Sequence, residues 1–206
     1  MLTFESVTDE FVLKIINSAS AKSCELDPSP STLLYENRDI LLPTIMNIIN
    51  TSLTTDIVPR DLKTAIVKSL SKKPSLDKNL LKNYRPISNV SFLSKILEKV
   101  VLHKLLSYLQ ENNLSNPIRS AYRAGYSTEN VLLRIVNDIL SALDNDNISV
   151  LLLLELSAAF DTIDHQILLS RLNSVFGIQS TALQWFYSYL SDRYQFTSVN
   201  NLPSSP

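Results

Sequence analysis

Apolar positions along the chain fall into runs of alternating period, and the period marks the elements. Ser6 and Asp9 are spaced as a capping box, and Phe11, Val12, Ile15, Ile16 and Ala19 follow at helical spacing. They predict a first helix to about Ser20, ended by the turn-rich KSCELDPSPS. Ile40, Leu41, Ile45, Ile48 and Ile49 form a second helical stripe, in which Pro43 is tolerable only in the first turn. TAIVKSL (64–70) reads as a short strand, SKKPSLDKNLLKNYRP as a long polar loop, and ISNV again as strand. A long helix from about Phe92 to Gln110 is striped by Ile96, Leu97, Val100, Leu105 and Leu109. The stretch from Leu114 to Ser127 has no period. Thr128 then caps a helix with Val131, Leu132, Ile135, Val136, Ile139 and Leu143 on its apolar face.

Ile148 to Leu156 is apolar apart from Ser149 and Glu155 and is of strand length, which predicts a strand covered on both faces. DHQILLSRLNSVFG is a helix stopped by Gly177, TALQWFYSYLSDR is another, and YQFTSVN alternates as a strand does. Strands interleaved with a majority of helices give an α/β or α+β fold, and there is no internal repeat.

Composition narrows the class. With 206 residues, 45% hydrophobic, the chain can bury one good-sized core or two modest ones. A single cysteine, Cys24, offers no disulfide framework, which points to a reducing, intracellular compartment, nuclear or cytoplasmic. The histidines, His103 and His165, are too far apart in sequence to suggest a zinc site. MLTFESVTDEF is no export signal, and the longest apolar runs fall well short of the ~20 residues that cross a bilayer, so a soluble protein is expected with no membrane partner. Only Gly125 and Gly177 occur, against roughly fourteen glycines at average usage, which excludes P-loop and dinucleotide-binding loops.

The net charge of −1 argues against a strongly nucleic-acid-binding chain, but its distribution is uneven. From Lys63 to Arg85 stand Lys63, Lys68, Lys72, Lys73, Lys78, Lys82 and Arg85 against Asp77 alone. Between Arg134 and Arg171 stand Asp138, Asp144, Asp146, Glu155, Asp161 and Asp164 with no Lys or Arg. One segment could hold phosphates and the other cations; the alternative is two solvated faces. A carboxylate where a buried strand emerges is either paired structurally or put to use on a metal. Glu155 has that position, followed by Ser157, Ala158 and Ala159, then Phe160, Asp161, Asp164 and His165.

ELSAAFDTIDH resembles the first catalytic box of the reverse transcriptases of non-LTR (LINE-type) retrotransposons, in which an aspartate opens the motif and an aromatic five residues later closes it. LKNYRPISNVSFLSKILEKVV (81–101) is similar to that family's fingers motif, and RSAYRAGYSTENVLL resembles the segment linking fingers to palm. AKSCELDPSPSTLL and VKSLSKKPSLD look like its upstream stretches, so the resemblance covers about residues 5–200.

The resemblance implies an α+β right-hand polymerase fold: an N-terminal helical region (1–60), a helix-rich fingers-like region (61–147) and a partial palm with an incomplete sheet (148–206). It implies RNA-directed DNA polymerase chemistry, with an RNA template or RNA–DNA hybrid and a dNTP as partners and Mg²⁺ as cofactor. Such phosphoryl transfer uses two divalent ions held by carboxylates. Glu155 then stands at the catalytic, metal-binding aspartate position. Phe160 is the ring that packs under the sugar and rejects a 2′-hydroxyl. Arg85 reaches the triphosphate, Lys72 or Lys73 assists, and the other lysines of the basic segment track template phosphates.

The chain departs from the family pattern. Glu155 replaces the aspartate, and its extra methylene displaces a ligand for an ion that demands near-ideal octahedral geometry. No Asp-Asp pair occurs, no glycine lies beyond Gly177, Arg119 replaces a usual glutamine and Ser69 a usual proline. These features read as a truncated, decaying or repurposed copy, catalytically deficient. The alternatives are a non-catalytic binder of RNA or RNA–DNA hybrid, or a relic without function. With no hairpin beside it, the strand at 148–156 is expected to leave an open edge for self-association and to loosen the region after about Ser149, with Trp185, Phe186 and Leu190 losing part of their cover.

Overall fold

A computed structural model describes residues 1–19, 24–156, 159–199 and 202–203. Their element order is α1 (Asp9–Ser18), α2 (Ser31–Glu36), α3 (Arg38–Thr55), β1 (Thr64–Ser71), β2 (Tyr84–Val90), α4 (Phe92–Glu111), α5 (Thr128–Asp144), α6 (His165–Ser174), α7 (Ser180–Leu190), β3 (Tyr194–Val199) and β4 (Leu202–Pro203). Helices thus outnumber strands, and the strands form one small sheet, in keeping with an α+β fold. No helix among the described residues is long and apolar enough to cross a membrane. The chain divides into two compact units, Met1–Tyr108 with His165–Pro206, and Leu109–Asp164.

In the first unit the helical stripes meet as their spacing requires. Val12, Ile15 and Ile16 of α1, Leu42, Ile45, Met46, Ile49 and Leu53 of α3, Ile96, Leu97, Val100 and Val101 of α4, and Ala182 and Trp185 of α7 close one core. Thr8 rather than Ser6 caps α1, its side chain accepting from the Phe11 amide, because Ser6, Thr8 and Asp9 all offer a capping oxygen within one turn. Pro43 sits inside α3, past its first turn; it is exposed, so water can take the carbonyl that its missing N–H leaves unpaired. The short helix α2 carries no apolar period and was not legible from spacing.

The N-terminal residues are stitched to the loop between α6 and α7. The Met1 ammonium donates to the Gly177 carbonyl at 2.8 Å, and the Gln179 and Ala182 amides donate to Met1 and Leu2 carbonyls at 2.9 and 3.0 Å. Asn50 of α3 clamps the backbone of Val7 through both its amide atoms. These contacts, with Trp185 buried, overturn the expectation that everything after Ser149 is loosely held: α6, α7 and β3 belong to the first unit.

The sheet has the order β2-β1-β3-β4. β1 pairs antiparallel with β2, Ala65 opposite Val90 and Ser71 opposite Tyr84. On its other side β1 pairs parallel with β3, Thr64 opposite Tyr194 and Val67 opposite Thr197. YQFTSVN therefore finds its neighbour in a strand well over a hundred residues upstream.

The second unit holds the largest departure. Ile148–Leu156 forms no strand and is exposed throughout, Ile148 at 93% and Val150 at 90%. Apolar composition signals that a segment is suited to burial, yet a strand also needs a hydrogen-bonding neighbour, and none of the described strands pairs with it. The helix α5 is capped by Ser127, one residue before Thr128, and buries no residue fully; Leu132, Val136 and Leu143 are exposed.

Candidate nucleic-acid interface

The basic segment of the sequence is the hairpin β1–β2 and its connecting loop. The first half of β1 packs inward, with Ala65, Ile66 and Val67 buried, while Lys68, Ser69 and Leu70 and most of β2 stand in solvent. The inner end is anchored twice. Asp27 accepts from the Phe92 amide at 2.7 Å and from the Cys24 amide at 3.1 Å, and Ser94 donates to the Leu62 carbonyl at 2.9 Å. The hairpin thus leaves a fixed base and projects an outer half with little apolar cover.

The turn is ordered by its own polar groups. The Lys72 amide donates to the Asn83 carbonyl at 2.8 Å, extending the ladder by one step, and the Lys72 ammonium donates to the Lys82 carbonyl at 2.7 Å. Asp77 accepts from the Asn79 amide at 2.9 Å, its carbonyl accepts from the Asn83 side chain, and the Tyr84 hydroxyl donates to the Lys78 carbonyl. The one acid of the loop therefore serves the turn. Lys72, Lys73, Lys78, Lys82 and Arg85 are all exposed on this one hairpin.

Two lysines of the segment have other work. Lys63 is buried, and its ammonium donates to the Ser188 carbonyl at 3.2 Å; Lys68 is ion-paired with Glu25. Sequence reading placed both on the phosphate-tracking surface, and Lys63 is not there: its long stem lies in the apolar interior with its head on a helix-end carbonyl. Lys72, Lys73 and Arg85 remain together on the first unit, whereas Glu155 and Phe160 belong to the second.

Within the second unit Glu155 is exposed, and Ser157 and Ala158, which follow it, lie outside the described residues. Phe160 is 72% exposed and meets Tyr122 edge to face, ring centroids 6.1 Å apart at 75°. Tyr122 was not singled out by sequence reading; the alternation of arginine and tyrosine in RSAYRAGY is the signal that marks it. Among the described residues no three His, Cys, Asp or Glu side chains come together as a metal site. Glu155 on an exposed, unpaired segment is a single donor, so the residues present do not fit a two-ion centre.

Comparison with known proteins places this geometry. Residues 71–204, which include the hairpin loop, Arg85, Glu155 and Phe160, match the family described as reverse transcriptase (RNA-dependent DNA polymerase). The chain is 28% identical over 159 residues to the probable RNA-directed DNA polymerase from transposon BS of Drosophila melanogaster, covering 77% of this chain and 17% of that protein. It is 28% identical over 210 residues to the RNA-directed DNA polymerase from mobile element jockey of the same organism, covering 99% of this chain and 22% of that protein. A 31% identity over 159 residues links it to the transposon TX1 uncharacterized 149 kDa protein of Xenopus laevis, covering 76% of this chain and 11% of that protein. The chain therefore spans about a fifth of the length, or less, of the curated relatives it matches. With the matched region covering well over half of its residues, the chain belongs to the reverse transcriptase family, in the branch carried by non-LTR retrotransposons.

Proposed function

We propose that these residues are the fingers and part of the palm of an RNA-directed DNA polymerase. In this chain they bind nucleic acid without performing the chemistry. The observation that carries the reading is the β1–β2 hairpin, whose Lys72, Lys73, Lys78, Lys82 and Arg85 stand exposed together while the nearby acid, Asp77, is engaged in the turn. Lys72, which has two donors besides the one on the Lys82 carbonyl, and Lys73 contact backbone phosphates of an RNA template or RNA–DNA hybrid as point charges. Arg85, with its planar fork, holds two oxygens of the triphosphate of a dNTP. Residues 1–60 act as the helical support of the fingers-like region 61–147, and 148–206 as palm.

Phe160 serves as the ring beneath the sugar, excluding a 2′-hydroxyl by its bulk. Mg²⁺, as the family uses it, would be expected at Glu155. The donor set does not fit it, so no step is assigned to a metal here. That mismatch favours binding without catalysis. The test is a titration of a labelled RNA–DNA hybrid with the purified chain across a series of salt concentrations. Weak affinity that falls steeply with salt supports the reading, and the absence of binding at low salt overturns it.

A further inference from the structure

We propose that the segment Arg119–Tyr126 is a stacking surface for the bases of single-stranded RNA, with Tyr122 and Tyr126 as the platforms. The inference rests on the nucleic-acid-binding reading above and adds to it a second, chemically different contact. Tyr122 is 84% exposed and Tyr126 44% exposed, in a loop that buries neither ring. Tyr122 has φ +56°, a left-handed conformation that an aromatic residue rarely adopts, and the ring gains little burial in return. Its contact with Phe160 leaves most of its surface open.

Charge selects the occupant. From Asn112 to Thr128 the charged residues are Arg119 and Arg123 alone, in a chain of net charge −1. Both arginines are exposed. The Arg123 guanidinium lies 4.4 Å from the centroid of the Tyr126 ring and donates to the Pro117 carbonyl at 3.4 Å, which holds cation and ring as one unit. Exposed rings interleaved with arginines suit a polyanion whose repeating unit also carries a flat π-face, and single-stranded nucleic acid is that ligand. An apolar protein partner would gain nothing from the arginines.

Stacking and phosphate contacts separate in measurement, because stacking releases no counterions. Fluorescence anisotropy with a labelled RNA of about twelve uridines, and with an abasic ribose-phosphate strand of the same length, reads both. Tyr122→Ala and Tyr126→Ala should each weaken binding of the uridine strand about five- to tenfold with the salt slope unchanged. Lys72→Ala with Lys73→Ala should lower the slope. The abasic strand should bind the parent chain as weakly as the uridine strand binds the Tyr122→Ala, Tyr126→Ala double variant. Tyr122→Trp, which keeps a ring and guards against a folding defect in the alanine variants, should retain affinity, and its emission should be quenched by the uridine strand only. If the parent binds neither strand, the nucleic-acid reading fails and this inference with it. If the parent binds both equally, or the alanine variants bind as the parent does, the hairpin alone binds RNA and the stacking surface is refuted.

Discussion

Trp185 Nε1 donates a 3.1 Å hydrogen bond to Ser52 Oγ, and both residues are buried. The contact joins α7 to α3 across most of the chain's length. Around it Phe4 meets the indole edge-on at 5.7 Å and Tyr189 stacks on it at 5.3 Å. Ser52→Ala leaves a buried indole N–H without its partner and is expected to destabilise the chain by about 1–3 kcal/mol. Trp185→Ala removes the packing as well, at about 3–5 kcal/mol. Urea denaturation followed by circular dichroism checks both, and equal midpoints for Ser52→Ala and parent would show that the bond is dispensable.

A second, partly buried contact makes stability depend on alkaline pH. The Tyr189 hydroxyl donates to Glu98 Oε1 at 2.6 Å. Burial, and then the negative charge of Glu98, hold the Tyr189 phenol above its ordinary pKa, with the Arg193 guanidinium pulling the other way. A folded-state pKa above the unfolded value of about 10 means the stabilisation is full below that pH and lost as pH rises through and beyond it. Tyr189→Phe should be less stable at neutral pH yet show a flatter decline above about pH 10. A decline as steep as the parent's would assign the alkaline loss to other groups.

The donor set at Glu155 leads to a prediction about chemistry. The purified chain should extend no primer on an RNA template with Mg²⁺ or Mn²⁺, and Glu155→Asp should not confer extension, because no cluster of carboxylates stands among the described residues. Template-dependent incorporation by either protein would contradict this.

The exposed apolar tract sets an expectation for solution behaviour. Leu152, Leu153 and Leu154 are each more than three-quarters exposed, with Leu132, Leu133 and Val136 of α5 also in solvent within the same unit. Exposed apolar surface of this extent drives association. The isolated chain should show a concentration-dependent mass by analytical ultracentrifugation, shifted toward monomer in a Leu152→Lys, Leu154→Lys variant. Identical mass distributions for the two would show that this tract plays no part.

Periodicity was a good guide wherever a helix or strand carries its own signal. α1, α3, α4, α6 and α7 follow their stripes because one face of each lies against the core, and β1 buries Ala65, Ile66 and Val67, whereas β2 and β3 form by pairing on either side of it and most of β2 stands in solvent. Its failures share a cause: it names what a segment is suited to and never its neighbour. The run at 148–156 has a strand's composition and no partner, and nothing in YQFTSVN announces a parallel pairing with β1. At the site, the cluster from Lys72 to Arg85 was legible because exposed charge is the default for lysine in a polar loop. Lys63 was misplaced because a buried lysine satisfied by the Ser188 carbonyl leaves no trace in its local sequence. Tyr122 and Tyr126 escaped because they lie in an aperiodic loop, where no helical or strand spacing marks them and only the alternation of arginine and tyrosine does.

The central claim is that the β1–β2 hairpin holds nucleic acid through its phosphates, and the salt dependence of binding tests it most directly. Log affinity for an RNA–DNA hybrid should fall linearly with log salt, and Lys72→Ala with Lys73→Ala should reduce that slope by about two contacts' worth while the fold, judged by circular dichroism, is unchanged. Affinity at low salt should be no better than micromolar, since the net charge of −1 opposes it. A slope identical in parent and double variant, or a complex indifferent to salt, would show that the hairpin is not where this chain meets nucleic acid.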